Sequence, residues 1–313
     1  MIEIVLSLIS ALGVSIGIVD EPRTAPSFSV TPVALAADTQ TISRARGLPR
    51  SGDREIVQKR NDRTPPEKLN GQAALMVDDT SEAILYEYQA DKVVSLASIT
   101  KLANALTFAG METDLDTKIE ITDEDVIEEF SALAIGDVLT HRDLLGLALV
   151  GSSNSAAHTL IRASGFTREY YIGRMNQVGQ ELGLTNSRFV GPSGLDPKNV
   201  GTARDAYRLL KAALAHPDLA AVMGDSEYVF NNGVKNKKVF STNAFKIGVL
   251  PFGGDTIIGA KTGHIPEAGF HFAMEARDVN GAVRQVIVMG APGHLDRFTE
   301  AERLLLWAQE QPD

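Results

Sequence analysis

The stretch SLASITKLANALTFAG, from Ser95 to Gly110, places a serine and a lysine at the start of an apolar helix. Ser98 and Lys101 are three residues apart, and apolar residues recur after them at helical spacing until Gly110. Residues three apart lie on one face of a helix, so the hydroxyl and the amine can meet. A lysine can take the proton of a serine if burial or another cation lowers its pKa. The pair indicates a serine nucleophile, although Ser-x-x-Lys alone also fits a helix N-cap followed by an exposed lysine.

Length and composition exclude several classes of protein. The chain has 313 residues, 44% of them apolar, which is enough for a large core. Its net charge of -10 is spread along the chain and aromatic residues are sparse, which argues against a nucleic-acid-binding surface. The chain has no cysteine, and its six histidines show no metal-ligand spacing. We therefore expect neither a thiolate nucleophile nor a metal or other cofactor.

The N-terminal part of the chain differs from the rest. Residues 1–19 are almost wholly apolar, which predicts a signal peptide or a membrane anchor, with a buried helix as the alternative. Residues 20–67 are rich in Pro, Ser, Thr, Arg and Asp without a sustained period, which predicts a flexible linker. We expect one folded domain, residues 68–313, located outside the cytoplasm and either secreted or attached to the membrane through residues 2–19.

Periodicity predicts strands at both ends of this domain and helices between them. Residues 72–77 and 83–88 form a predicted hairpin at its start, and three strand-like runs cover residues 256–260, 269–276 and 283–289. Helical spacing fills most of residues 110–221, with helices predicted at residues 154–163 and 203–215 among others, and a last helix covers residues 296–309. This order indicates an α/β fold whose antiparallel sheet is built from both ends of the domain, with a central helical region.

Two Ser-x-Asn elements could supply partners for Ser98. Ser152-Ser153-Asn154 lies at a break between two apolar helices, where a short loop can turn side chains inward. Ser241-Thr242-Asn243 lies in a polar stretch rich in lysine. We prefer the first element, because Ser152 could relay a proton to a leaving amine and Asn154 could orient a substrate peptide. A helix N-cap cluster is the alternative interpretation.

Lys261-Thr262-Gly263 is the third element, and it lies between two apolar, strand-like runs. Small residues on a strand beside a cleft let an extended substrate pair with the strand edge. Lys261 adds a positive charge that could lower the pKa of Lys101 and attract a carboxylate, to which Thr262 can donate a hydrogen bond. Elements of the types SxxK, SxN and KTG are typical of penicillin-binding proteins and serine β-lactamases.

With its flanking sequence included, the chain resembles the low-molecular-mass penicillin-binding proteins, the D-alanyl-D-alanine carboxypeptidases of serine peptidase family S11. The similarity extends from about Ala73 to Trp307 and includes LLGLALVGSSNSAA, MNQVGQELGLTNSRFVGPSGLD and VIVMGAPGHLDRFTEAERLLLWA. The resemblance implies the penicillin-binding protein and β-lactamase (DD-peptidase) fold, with residues 68–313 as the catalytic domain. Ile265 and Ser153 depart from the family pattern, which commonly has Thr and Gly at these positions.

The resemblance also implies a role for each site residue. Ser98 is the acylated nucleophile, Lys101 its general base and Ser152 a proton shuttle. The backbone N–H groups of Ser98 and His264 form the oxyanion hole. Arg297 holds the terminal carboxylate of the substrate, unless it is an exposed arginine at a helix start. The substrate-binding residues are Asn154, Lys261, Thr262, Gly263, His264 and Arg297.

The function implied by the resemblance is that of a serine-type D-Ala-D-Ala carboxypeptidase, which removes the terminal D-alanine from peptidoglycan stem peptides and which β-lactams inhibit covalently. A DD-endopeptidase of peptidoglycan cross-links is the first alternative, because both reactions attack the same kind of carbonyl. A β-lactamase is disfavoured, since residues 189–196 lack an acidic Glu-x-x-x-Asn element. An inactive cell-wall-binding or β-lactam-sensing protein is the last alternative, and the complete set of catalytic side chains argues against it.

Overall fold

The computed structural model describes residues 69–111, 113–128 and 131–310. The predicted signal or anchor segment, residues 1–19, and the predicted linker, residues 20–67, lie outside the described residues. The division into these segments and a domain beginning at residue 68 therefore stays a prediction. Within the described part of the chain, no helix combines the length and the apolar character needed to cross a membrane.

The described residues form eleven strands and seven α-helices. The strands are β1 (Ala73–Asp78), β2 (Ile84–Tyr88), β3 (Val94–Ser95), β4 (Lys118–Glu120), β5 (Val138–Thr140), β6 (Val200–Gly201), β7 (Glu227–Asn231), β8 (Asn236–Phe240), β9 (Thr256–Ile265), β10 (Gly269–Arg277) and β11 (Val283–Ala291). The helices are α1 (Thr100–Ala109), α2 (His141–Leu149), α3 (Asn154–Ala163), α4 (Arg168–Glu181), α5 (Ala203–Ala215), α6 (Pro217–Met223) and α7 (Asp296–Gln309). Short 3-10 turns cover Ala97–Ile99 and Asp123–Asp125.

The main sheet has five strands in the order β2-β1-β11-β10-β9, and all neighbours are antiparallel. Strand β1 pairs with β11 in a register that runs from Ala73 opposite Met289 to Asp78 opposite Arg284. A hairpin from the start of the domain therefore joins three strands from its end, which confirms the predicted sheet topology. Strand β9 occupies one edge of this sheet.

Both faces of the main sheet are buried, because side chains that alternate along β1 pack into two different cores. Ala73, Leu75 and Val77 pack into the core shared with the central helices. Ala74 and Met76 point to the opposite face and pack into a second core that includes α7. Successive strand residues point to opposite faces, so a strand that is apolar at every position needs a layer on each side.

Helix α1 lies inside the helical region, and every residue from Thr100 to Phe108 is buried. Within this helix, Asn104 Nδ2 donates to the carbonyls of Ala157, at 2.9 Å, and Pro192, at 3.1 Å. The Tyr171 hydroxyl donates to Asn104 Oδ1 at 2.6 Å. A buried amide is stable when its donors and acceptor are paired. Asn104 thereby links α1 to α3, to α4 and to the loop around residue 192.

The structure extends the sequence-based assignment of elements at two places. The strand-like run that was predicted to end at Ala260 continues through Lys261-Thr262-Gly263 to Ile265, because the whole segment pairs with β10. The hairpin formed by β7 and β8 was not predicted, since its strands are short and mostly exposed. The helices predicted at residues 154–163, 203–215 and 296–309 have the bounds expected from their apolar period.

The Gly/Pro loop at residues 190–196 packs its backbone against the turn that carries Ser98. Gly194 has a φ of +84°, and a Cβ built there would lie 1.8 Å from the Ala97 carbonyl oxygen. The loop is also held by the Leu96 N–H, which donates to the Asn199 carbonyl at 2.8 Å. Only glycine allows both this conformation and this close approach of two backbones.

We predict that Gly194→Ala destabilises the protein by more than the about 1–3 kcal/mol that a strained left-handed residue costs alone, because the new Cβ must also displace Ala97. Urea unfolding followed by circular dichroism measures the loss. Gly136→Ala is the matched control, since Gly136 has a φ of +86° but no heavy atom within 4 Å of a built Cβ. Equal losses in the two variants would contradict the proposed backbone clash.

Candidate active site

Ser98 and Lys101 meet at the start of α1. Ser98 lies in the 3-10 turn before the helix, and the Lys101 amino group is 2.7 Å from its hydroxyl oxygen. Lys101 Nζ also donates to Asn154 Oδ1, at 2.7 Å, and to the Ser193 carbonyl, at 2.9 Å. The spacing predicts the contact between the two side chains, and the structure brings Asn154 of the preferred Ser-x-Asn element to the same amino group.

The Lys101 side chain has no solvent exposure, and this burial determines its protonation. Burial lowers the pKa of Lys101 to about 7, and the negative charge of Glu128 opposes this shift. A lysine with this pKa is substantially neutral at physiological pH. Its amine can then accept the proton of the Ser98 hydroxyl to which it is already hydrogen-bonded.

A second serine–lysine pair lies beside the first. Lys261 Nζ donates to Ser152 Oγ at 2.7 Å and to the Thr262 carbonyl at 3.0 Å. Ser152 lies in the turn between α2 and α3 and has a φ of +57°, a strained conformation for a residue with a side chain. In this conformation its hydroxyl contacts Lys261. A hydroxyl held in this way can relay a proton between an amine and the atom being displaced.

The cause of the lowered pKa of Lys101 differs from the one that the sequence suggested. The sequence suggested that Lys261 lowers the pKa of Lys101, whereas burial is the cause of the shift at Lys101. Burial lowers the pKa of Lys261 well below its usual value, and the charges of Lys101 and Arg297 lower it further. Burial and mutual repulsion therefore disfavour two ammonium groups at once.

Strand β9 lies directly against the turn of Ser98. A Cβ built on Gly263 would be 3.2 Å from the Ser98 backbone nitrogen and 3.3 Å from the Leu96 carbonyl oxygen. The Thr262 hydroxyl is 2.5 Å from the Thr242 hydroxyl. His264 is exposed, and its ring stacks on Phe270 at 4.0 Å between ring centroids. Small residues on this edge strand leave its backbone close to Ser98.

Arg297 is buried, with 3% of its surface exposed, so the alternative of an exposed arginine at a helix start is wrong. Its Nη1 donates to the Gly263 carbonyl at 3.2 Å, and its guanidinium carbon lies 4.7 Å from the centroid of the Phe298 ring. Burial lowers the pKa of Arg297 to about 10, so the group stays charged at neutral pH. Its contact with Gly263 places a positive charge beside the KTG element.

Sequence reasoning missed several contacts of this site. Ser193 contributes a backbone carbonyl, which no side-chain pattern reveals. Thr242 belongs to the Ser-x-Asn element that was considered second, and it contacts Thr262 instead of Ser98. Glu128 accepts hydrogen bonds from the Asn154 backbone and side chain, and no motif marked it.

The antiparallel sheet, the central helical region and the serine hydrogen-bonded to a buried lysine define the class of the protein, a DD-peptidase of the penicillin-binding type. A D-alanyl-D-alanine carboxypeptidase from Mycobacterium tuberculosis has the same fold, with a TM-score of 0.71 and 24% identity over 80% of this chain and 96% of that chain. The profile of the D-alanyl-D-alanine carboxypeptidase family, peptidase S11, matches residues 59–293. The chain belongs to this family of serine peptidases.

Two curated relatives illustrate the range of the family. A D-alanyl-D-alanine endopeptidase from Pseudomonas aeruginosa is 30% identical over 254 residues, which are 78% of this chain and 78% of the relative. D-alanyl-D-alanine carboxypeptidase DacC from Escherichia coli is 30% identical over 260 residues, which are 76% of this chain and 61% of the relative. The chain is thus similar to enzymes named for both reactions.

We predict that acylation of Ser98 by a penicillin becomes faster as the pH rises through about 7, the pKa to which burial lowers Lys101. Only the neutral amine can accept the hydroxyl proton, and it is the form populated above this pKa. Mass spectrometry of the Ser98 peptide, quenched at successive times and pH values, gives the rate constants. Lys101→Arg should abolish the reaction because a guanidinium stays protonated. A rate that did not change with pH across the neutral range would contradict the role of Lys101.

Proposed function

We propose that the chain is a serine-type D-Ala-D-Ala carboxypeptidase that removes the terminal D-alanine from peptidoglycan stem peptides. The observation that carries this proposal is the hydrogen bond between Ser98 and a buried Lys101 whose pKa is lowered to about 7. Such a pair supplies a nucleophile and its base in one contact. β-Lactams, whose strained amide presents a similar carbonyl, are expected to acylate the same serine.

The reaction begins when Lys101 takes the proton of Ser98 and Oγ attacks the carbonyl of the penultimate D-alanine. The backbone N–H groups of Ser98 and His264 would hold the oxyanion, a role supported by the close approach of β9 to the Ser98 nitrogen. Ser152, hydrogen-bonded to Lys261, would pass a proton to the leaving amine. D-Alanine departs, and water then hydrolyses the ester on Ser98.

The charge of the cleft supports a substrate that carries a carboxylate. Lys261 donates to a hydroxyl and a carbonyl, and Arg297 Nη1 donates to the Gly263 carbonyl. Arg297 is buried and charged, Lys261 gains a charge when an anion lies beside it, and both contact uncharged oxygens, so a carboxylate in the cleft would supply the missing negative charge. Thr262 could donate a hydrogen bond to the same carboxylate. The C-terminal carboxylate of a stem peptide is such a group.

A DD-endopeptidase is the second candidate, because relatives named for that reaction are as similar to this chain as DacC is. The endopeptidase from Pseudomonas aeruginosa and DacC are each 30% identical to it over the matched residues. A cross-link whose amine donor carries a carboxylate next to its nitrogen would present the same charge to Arg297. Peptidoglycan lies outside the cytoplasmic membrane, so for either reaction we place the enzyme there, secreted or attached through residues 2–19.

Purified muropeptides test the proposal. We expect incubation with uncross-linked pentapeptides to release D-alanine and leave tetrapeptides, while cross-linked dimers stay intact, as measured by liquid chromatography and mass spectrometry. Conversion of dimers to monomers, with pentapeptides unchanged, would establish the endopeptidase instead. Ser98→Ala serves as the control and should leave both substrates intact. If the wild-type protein altered neither substrate, the proposed activity would be refuted.

The role of Arg297 is tested with two peptides that differ only at their C-terminus. We predict that Arg297→Gln lowers kcat/KM for a peptide with a free carboxylate roughly 10- to 100-fold, the effect of losing a charged hydrogen bond of about 1.5–3 kcal/mol. The same peptide with a C-terminal amide should be turned over slowly and almost equally by both proteins. Arg297→Lys keeps the charge and should recover part of the loss. Equal losses on the two peptides would show a structural role only.

A further inference from the structure

The carboxylate of Glu128 accepts four hydrogen bonds at the beginning of α3. Oε1 accepts from Ser153 Oγ at 3.0 Å, from the Asn154 backbone N–H at 3.1 Å and from the Ser155 N–H at 3.3 Å. Oε2 accepts from Asn154 Nδ2 at 2.9 Å. The first N–H groups of a helix lack partners within the helix and carry its positive dipole end, so a carboxylate is favoured there. Glu128 reaches this position from a loop about 25 residues earlier in the chain.

These contacts determine the orientation of the Asn154 carboxamide. Its oxygen is 2.7 Å from Lys101 Nζ, and its nitrogen donates one hydrogen to Glu128. The opposite orientation would place the amide NH2 against the amino group of Lys101 and the carbonyl oxygen against the carboxylate. The contact between the two oxygens would be unfavourable because neither a carboxylate nor a carbonyl oxygen has a donor, and the contact with Lys101 would be unfavourable in its protonated form because an ammonium has no acceptor. Glu128 and Lys101 together hold the amide in one orientation, with its second hydrogen available.

We propose that Glu128 is a positioning residue for the acylation of Ser98, because its carboxylate holds the Asn154 amide between Lys101 and the substrate. The inference rests on the proposed acyl-enzyme function. In this arrangement the second Nδ2 hydrogen donates to a backbone carbonyl of the substrate, and Oδ1 keeps Lys101 in contact with Ser98. The carboxylate is occupied by helix N–H groups and the amide, and it does not take part in proton transfer.

The charge of Glu128 gives this role a measurable signature. It raises the pKa of Lys101, against the effect of burial. The other groups that face Lys101 are cationic or neutral at working pH. Burial lowers the pKa of His158 to about 4, and the charges of Arg168 and Lys101 contribute, so this ring is neutral. The charges of Lys101 and Arg297 add to burial in lowering the pKa of Lys261, so the protonated form of Lys261 is disfavoured as well. Removing the carboxylate therefore lowers the pKa of Lys101 further and moves the acidic limb of acylation to lower pH.

The test uses the full chain and a penicillin as acylating probe, with variants Glu128→Gln, Glu128→Asp and Glu124→Gln. Glu124 is an exposed acid in the neighbouring turn and provides the matched control. We expect Glu128→Gln to lower the acylation rate constant at its high-pH plateau roughly 10- to 100-fold, since a charged hydrogen bond is lost, and to move the pH midpoint downward. Glu128→Asp keeps the charge on a shorter side chain, so its rate should fall while its midpoint stays near that of the wild type. Glu124→Gln should match the wild type in both.

Three results would overturn the inference. Wild-type acylation rates in Glu128→Gln would show that the amide needs no support from residue 128. A lower rate with an unchanged midpoint and a reduced melting temperature would show a structural role only. Normal acylation with slowed release of the penicilloyl group would assign Glu128 to deacylation instead. Absence of acylation in the wild-type protein itself would refute the proposed function. The wild-type measurement therefore distinguishes a failure of the proposed function from the three results that concern Glu128 alone.

Discussion

The burial of the Lys101 amino group is the interaction on which the site depends. A buried ammonium without a carboxylate in contact is costly, so the group loses its proton readily and keeps its hydrogen-bond partners. Those partners are Ser98 Oγ, Asn154 Oδ1 and the Ser193 carbonyl. They come from the turn before α1, the start of α3 and the loop at residues 190–196. Three separate parts of the chain must therefore be held in place for this amine to act as the proposed base.

The sheet and the helical region are joined close to this amine by buried polar groups. His271 on β10 accepts at Nδ1 from the Gly290 N–H, at 2.7 Å, and its Nε2 lies 2.8 Å from the Ser95 carbonyl oxygen. Because Nδ1 is the acceptor, Nε2 carries the hydrogen and donates to Ser95. Burial lowers the pKa of His271 to about 4, so the ring stays neutral and keeps this tautomer. The sheet thereby positions the segment that enters the turn of Ser98. Asn104 in turn fixes α1, which follows that turn, against α3, α4 and the loop around residue 192.

The sequence predicted the features that depend on periodicity and on side-chain type. The sheet built from both ends, the helix at residues 154–163 and the contact between Ser98 and Lys101 follow from such patterns. The contacts that the sequence could not predict involve groups that no sequence pattern marks. Ser193 acts through its carbonyl, and Glu128 is one of several acids in its segment, distinguished only by where the loop brings it. Long-range placement of a short loop depends on packing, which a single sequence does not display.

The balance of charge in the cleft explains how two buried lysines can have different roles. Lys101, Lys261 and Arg297 bring three basic groups together, and Glu128 is the carboxylate that acts on Lys101. Burial and repulsion disfavour the protonated form of Lys261. In the proposed mechanism, a substrate carboxylate beside Lys261 would favour its protonated form, and the new charge would then disfavour protonation of Lys101. An anionic substrate would thus leave Lys101 neutral, as the proposed base must be, while its carbonyl lies beside Ser98.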